Sequence, residues 1–293
     1  MKFLVFGSLN IDHVYKVKHL VQEGETVSSV DYDVLPGGKG LNQAIALSRA
    51  GQETWFAGAV GKDGLFLLEL LDKDGIHTGY VRELPGANGH AVIQVDEKGR
   101  NAIIVWGGVN QLITPEIIEE TLSHFGPGDW LLMQNEISCG KYLLEKAAEK
   151  GMLVAFNPSP VTEEILSWPL EKAAWLIINE TEGHILSGEA EEGRIIDKLL
   201  ERCPSCRIIL TRGEKGAVYA DRKVRLYQKA IPVKAIDTTA AGDTFTGYFL
   251  CAVAKGLPTE HALFNAATAA SIAVSKPGAM PSIPGWKEVG GIG

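Results

Sequence analysis

From residue 112 onward the chain repeats one pattern: a short unbroken apolar run, a polar cluster, then an amphipathic stretch. The apolar runs are residues 130–133, 152–156, 175–178 and 207–210, with helical patterns such as 141–150 and 194–201 between them. Runs of this length without alternation are strands buried on both faces. Strands separated by helices cross over right-handedly into a mostly parallel sheet. Polar residues follow each run directly: Gln134-Asn135-Glu136, Asn157-Pro158-Ser159, Asn179-Glu180-Thr181-Glu182 and Thr211-Arg212-Gly213-Glu214-Lys215-Gly216. One such ending is compatible with a simple turn. Four in succession, all at carboxyl ends, line the edge of an α/β sheet where ligands bind.

The densest chemistry comes later, in Ile236-Asp237-Thr238-Thr239-Ala240-Ala241-Gly242-Asp243-Thr244-Phe245-Thr246-Gly247. An acid closes an extended run, small residues follow, and a second acid opens a helical pattern. Small residues let the backbone turn sharply and come close to a ligand. The free N–H groups and positive dipole end of a helix start form an anion site. A carboxylate in that first turn adjoins the anion without being needed to bind it. That suits phosphoryl transfer, where an Asp accepts the proton of an attacking hydroxyl. Asp243 alone also reads as an ordinary helix cap. Capping leaves Asp237 and the Thr-Thr-Ala-Ala-Gly loop unexplained.

Residues 3–6 form a first strand, ending in the polar loop Gly7-Ser8-Leu9-Asn10-Ile11-Asp12. On extended backbone Asn10 and Asp12 face one side; an Asx-turn is the alternative. Pro36-Gly37-Gly38-Lys39-Gly40-Leu41-Asn42-Gln43-Ala44 opens a helix that Gly51 stops. Its glycines allow close backbone approach to a polar ligand. It is neither a Walker A loop, lacking Gly-Lys-Ser/Thr, nor a GxGxxG fingerprint. Segments 14–17, 26–35, 89–95 and 101–106 alternate instead of running apolar, the last two as a hairpin. They read as a small β-layer interleaved with the main sheet, with one face available to cover a site or meet another copy. An Ala-rich helix over 260–274 closes the pattern.

A net charge of −8 with no basic block argues against nucleic acid or an anionic membrane surface as partner. Any anion must then be held locally. No apolar run reaches the ~20 residues that span a bilayer, and the mean hydropathy is +0.04. Residues 1–7 read as a strand rather than a signal peptide. Cys203-Pro204-Ser205-Cys206 has CxxC spacing, but no second Cys or His pair completes a zinc site, and it precedes a strand instead of opening a helix. With Cys139 and Cys251 it reads as a reduced, cytoplasmic set.

Taken in order, six segments resemble the ribokinase (PfkB-type) carbohydrate kinase family over nearly the whole chain. They are Gly7-Ser8-Leu9-Asn10-Ile11-Asp12-His13, Gly24-Glu25-Thr26-Val27, Gly37 to Ala44, Leu131 to Glu136, Asn179 to Glu182 and Asp237 to Phe245. The resemblance implies a three-layer α/β/α fold with a mostly parallel central sheet, residues 1–293 as a single domain, and the β-layer as a lid that also makes a homodimer interface. It implies that Asn10, Asp12, Gly38, Lys39, Asn42, Glu136 and Asp243 contact a small sugar, with Asp243 as base. Ala240, Ala241 and Gly242 would form the anion hole. Asn179, Thr211, Gly213, Lys215, Gly216 and Gly242 would meet ATP. Glu182 would help hold Mg²⁺ through water. Asp237, Thr239, Ala273, Lys276, Gly278 and Ser282 would form a site for activating K⁺. Two positions depart from the family's pattern: Ala267, where Asn or His is usual near the adenine, and Trp106 in the lid.

The expected reaction is ATP-dependent phosphorylation of a furanose primary hydroxyl, the 5-hydroxyl of D-ribose before deoxyribose, fructose or a nucleoside. A sugar-binding protein without catalysis has no need of Asp243. A nicotinamide dehydrogenase would need the glycine fingerprint that is missing.

Overall fold

The computed structural model describes residues 1–290. Its strands, in chain order, are β1 (Phe3–Phe6), β2 (Asn10–Val17), β3 (Asp31–Gly37), β4 (Thr54–Val60), β5 (His77–Glu83), β6 (Gly89–Asp96), β7 (Asn101–Trp106), β8 (Trp130–Gln134), β9 (Leu153–Asn157), β10 (Trp175–Asn179), β11 (Arg207–Thr211), β12 (Ala217–Ala220) and β13 (Arg225–Gln228). The helices are α1 (Lys39–Arg49), α2 (Phe66–Lys73), α3 (Pro115–Leu122), α4 (Gly140–Glu149), α5 (Glu180–Ser187), α6 (Glu192–Arg202), α7 (Ala241–Ala254), α8 (Thr259–Val274) and α9 (Trp286–Val289). Nine strands make one sheet in the order β13-β12-β11-β10-β9-β8-β1-β4-β5. Neighbours from β5 to β11 pair in parallel, and β12 and β13 add an antiparallel edge.

The apolar runs are buried on both faces for a simple reason: each face has its own core. In β1, Phe3 and Val5 pack with Leu41, Ile45 and Phe249 of α1 and α7. Leu4 and Phe6 belong to the core on the other side, which also takes in Leu143 of α4 and Ile195 and Leu199 of α6. All four β1 residues are fully buried. Each such side chain stabilises the fold by about 1.5–3 kcal/mol relative to exposure. Cys203 and Cys206 belong to the second core as unpaired thiols, and burial pushes Cys203 up to about 11.

A second sheet of four strands runs β3-β2-β6-β7. β6 and β7 form the expected hairpin. Other boundaries differ from the sequence reading. Residues 10–12, expected as a loop, are the first residues of β2, because Asn10 to Lys16 pair with Gly37 to Asp31. β3 starts at Asp31 and not near residue 26, since the ladder ends where Val30 N–H donates to Lys16 O. β4, β5, β12 and β13 are strands that the sequence reading does not mark, although β4 is apolar over Trp55 to Val60 and β12 over Ala217 to Ala220; β5 and β13 carry charged residues. No helix among the described residues is long and apolar enough to cross a membrane.

Helices α1 and α7 lie on the same face of the main sheet and touch through their smallest residues. A Cβ built at Gly247 would fall 2.5 Å from Ala46 Cβ and 2.8 Å from Leu47 N. That contact sets the spacing between the helix starts that carry Asn42, Gln43 and Asp243. Gly247→Ala is expected to destabilise by about 1–3 kcal/mol through overpacking, outweighing a helix-propensity gain of roughly 0.5–1 kcal/mol. Urea unfolding measures it. A variant as stable as the parent would rule out this packing account.

Candidate active site

Strand register assembles the site. Gln134 of β8 pairs with Asn157 of β9, and Asn179 of β10 pairs with Thr211 of β11. The polar endings noted in the sequence therefore share one edge. The N-termini of α1 and α7 come down beside it, enclosing a cleft of about 200 Å³. Of the residues singled out in the sequence, Lys39, Asn179, Glu182, Thr211, Ala240, Gly242 and Asp243 line this cleft. A wider, open hollow of about 530 Å³ beside α6, lined by Asp197, Glu201, Arg222 and Arg225 among others, holds none of them.

Asp243 is buried in the first turn of α7 but does not cap it. The cap position is Ala240, a non-glycine residue in the left-handed region at φ 60°, and no side chain caps the helix. Asp243 instead accepts hydrogen bonds from two amides of α1. Asn42 Nδ2 donates to Oδ2 at 3.2 Å, and Gln43 Nε2 donates to Oδ1 at 2.8 Å. The helix start has no side-chain cap, and Ala241 N–H donates to Thr238 O at 3.3 Å.

Next to Asp243 lies a charged cluster. Glu136 accepts from Ser8 Oγ, and from Lys39 N–H at 3.0 Å. Burial raises the Glu136 carboxyl, with Lys39 pulling the other way. Burial also raises Asp12 to about 7, assisted by Glu136 and opposed by Lys39. For Lys39 burial works against the charge, but Asp243, Glu136, Glu182 and Asp12 outweigh it and its pKa is raised. The lysine stays an ammonium. Asn10 accepts from Asn110 Nδ2 at 2.8 Å, while the buried Asn42 Oδ1 has no hydrogen-bond partner among the described residues. The glycines before Lys39 meet packing and backbone requirements of the chain itself. Gly38 sits at φ 94°, and a Cβ at Gly37 would lie 2.1 Å from Asp12 Oδ2.

Asn179 and Glu182 form a capping box at the start of α5. Asn179 Oδ1 accepts from Glu182 N–H at 2.9 Å, and Glu182 Oε2 accepts from Asn179 N–H at 3.0 Å. Gly213, Lys215 and Gly216 form a turn after β11 that is not part of the cleft lining, with Lys215 paired to Glu180 at 3.2 Å. Asp237 ties two loops together. Its Oδ1 accepts from Thr239 N–H and Oγ1 at 2.9 and 2.6 Å, and its Oδ2 accepts from Gly278 N–H at 2.9 Å. Burial opposes its charge, but these bonds win and its pKa is lowered. Lys276 N–H donates to Ala273 O at 3.1 Å, and Ser282 Oγ donates to Ala279 O at 2.7 Å.

The sequence reading gave no role to Gln43, Asn157, Gln134 or Ser8, although each stands inside or beside a segment it singled out. Gln43 Nε2 also donates to Asn157 Oδ1 at 2.9 Å, and its Oε1 accepts from Gln134 Nε2 at 2.7 Å. The only signal available was position, at the start of α1 or at a strand's carboxyl end.

A carboxylate held by amides, beside an ammonium and an uncapped helix start, can move a proton next to an anion. The chain belongs to the pfkB family of carbohydrate kinases, which it matches over residues 1–286. It is an ATP-dependent sugar kinase by that membership. Within the family it is similar to ribokinases. It is 33% identical to the ribokinase of Haemophilus influenzae, over 97% of this chain and 95% of that one. The ribokinase of Cryptococcus neoformans in complex with ADP superposes with a TM-score of 0.88, at 32% identity, over 99% of this chain and 98% of that one. The Arabidopsis thaliana ribokinase complexed with ribose and ATP gives 0.83 at 31% identity, over 98% and 97%.

Asp12 generates a pH prediction. A carboxylate accepts hydrogen bonds from two sugar hydroxyls, and a carboxylic acid has lost part of that capacity. With its pKa raised to about 7, Asp12 is charged above that pH and neutral below it. If Asp12 holds the sugar, KM is expected to climb as pH falls through 7, approaching roughly tenfold per unit. Asp12→Asn should raise KM throughout and flatten that climb. A parent KM that is level across this range would show that Asp12 does not meet the sugar.

Proposed function

We propose that the enzyme transfers the γ-phosphoryl of ATP to the 5-hydroxyl of D-ribose, giving D-ribose 5-phosphate and ADP. The observation that carries this reading is Asp243, buried at the uncapped start of α7 in one cleft with Lys39. The choice of ribose is supported by the ribokinase relatives, one of them complexed with ribose and ATP. Asn10, Asp12, Asn42, Glu136, Lys39 and the backbone at Gly38 would hold the sugar, so its orientation is set on binding. Asp243 takes the proton of the attacking hydroxyl. The new O–P bond forms as the bond to the β-phosphate breaks, and ADP leaves with the electron pair. N–H groups of Ala240, Ala241 and Gly242 face the transferring group, the Ala241 donor released from Thr238 O. Asn179, Thr211, Gly213, Lys215, Gly216 and Gly242 would hold the nucleotide.

Two cations fit the residues present. Glu182 is buried in the cleft wall, with one oxygen tied to Asn179 and the other left to bind the water of a Mg²⁺ ion. Bound with ATP, Mg²⁺ supplies charge neutralisation across the phosphates. Asp237 has no ion-pair partner among the described residues, and the carbonyl-rich loops it joins suit K⁺. Asp237, Thr239, Ala273, Lys276, Gly278 and Ser282 would hold that ion, stiffening the loop that leads into α7.

The small sheet would serve as lid and dimer surface. Strand register puts Tyr32, Val34, Ile104 and Trp106 on the face opposite Asp12, and each is at least 46% exposed. An apolar face of this kind fits a second copy of the chain. Four unpaired cysteines accord with a cytoplasmic setting.

ADP release measured over pentoses, hexoses and nucleosides tests the acceptor: kcat/KM should be highest for D-ribose, and a higher value for fructose or a nucleoside would reassign it. Asp243→Asn is expected to lower kcat by about 10²–10⁴ while sugar affinity stays within a few-fold. A variant keeping more than a tenth or so of the activity would end the base assignment. Replacing K⁺ by Na⁺ or a bulky organic cation at fixed ionic strength should lower the rate, and Asp237→Ala should remove that dependence. Equal rates in all three salts would eliminate the cation site.

A further inference from the structure

We propose that Gln43 is a positioning residue for Asp243, fixing which carboxylate oxygen takes the proton. The inference rests on Asp243 being the base. Gln43 is fully buried in α1, does not line the cleft, and has each side of its amide engaged. Two fixed acceptors set the direction of the whole chain of bonds. Ile177 O can only accept, so Asn157 donates Nδ2 to it at 2.8 Å and turns its Oδ1 towards Gln43. The Asp243 carboxylate can only accept, so Gln43 must present Nε2 to it. Both Nε2 hydrogens are then used, and Oε1 accepts from Gln134 Nε2 at 2.7 Å. Residues of β8, β9 and β10 thus lock one amide of α1, and that amide clamps a residue of α7.

The clamp is asymmetric. Oδ1 takes the 2.8 Å bond from Gln43, whereas Oδ2 takes only the 3.2 Å bond from Asn42, itself a proposed sugar ligand. Gln43 therefore holds Oδ1 out of the reaction and leaves Oδ2 to receive the hydroxyl proton. Gln134 points the same way. Its own Oε1 is buried without a partner, a state an apolar side chain of similar shape would avoid. A glutamine there is best explained by what its amide donates.

A double-mutant cycle separates positioning from packing. Gln43→Met keeps the side-chain length and removes both donors. It is expected to lower kcat about tenfold to a hundredfold, the scale of one hydrogen bond to a charged group. Kd values for ribose and a non-hydrolysable ATP analogue should stay within about twofold. Placed in Asp243→Asn, which lacks the base, Gln43→Met should change the residual kcat by no more than about twofold. Gln134→Met should act in the same direction but more weakly, and should also lose its effect in Asp243→Asn. An Asp243→Asn enzyme with near-parental kcat would end the base reading itself. With that variant impaired, a Gln43→Met enzyme of parental kcat, or one that loses the same factor in both backgrounds, overturns this inference alone. Should Gln43→Met not fold, Gln134→Met carries the cycle, and parental kcat or equal losses in both backgrounds would overturn it.

Discussion

Lys39 is the charge on which the site depends. Four carboxylates, those of Asp12, Glu136, Glu182 and Asp243, act on it, and all of them together outweigh the burial that opposes its ammonium. The cluster relieves its excess of negative charge in part by raising Asp12 and Glu136. What remains is a site with more acid than base, and one that must nevertheless receive a polyanion. In the proposed mechanism, backbone donors at the start of α7 and a metal ion carried in with the nucleotide would answer that problem without further buried lysines. Burying an unpaired charge is costly, so the lysine and its partners have to be positioned together or not at all.

Positioning falls to two helix starts and one sheet edge. α1 brings Lys39, Asn42 and Gln43, and α7 brings Asp243. Their separation is governed by the close contact of Ala46 with Gly247, one turn or more along each helix. Small residues at this crossing let backbone meet backbone, which leaves little freedom to slide. The left-handed Ala240 shows the other side of this economy. A strained non-glycine residue is tolerated where the chain turns into α7, and the helix start beyond it stays uncapped.

The glycine cluster before Lys39 carries a packing requirement that its pattern alone does not show. Three glycines around a lysine read as room for a ligand. In the fold, Gly37 also makes room for the carboxylate of Asp12, which a Cβ there would meet at 2.1 Å. Likewise Asn179 and Glu182 cap α5 reciprocally, and that structural duty holds Glu182 in the cleft wall. The residues 10–12 were legible as important and misread as a loop. Extended backbone there is decided by pairing with β3 and β6, segments more than 20 positions away.

Local pattern was enough to determine β1 and β8 to β11 of the parallel sheet, its polar edge and the loop into α7, but not β4, β5, β12 or β13. Apolar runs, periodicity and small-residue turns act over a few neighbours, so their consequences can be read in order along the chain. Asp243 was legible on the same ground. Which groups hold it was not. Gln43 lies 200 positions from Asp243 and 91 from Gln134, and nothing local distinguishes a glutamine that clamps a carboxylate from one that faces solvent. Nor does composition reveal that Asp12 is raised and Lys39 stays charged, since burial and neighbouring charge exist only once the elements have packed. The sequence determined where the polar groups of the cleft are carried, because those signals are short-range. Only the tertiary structure decided their partners, the charge of Lys39 and Asp12, and the direction in which the amides point.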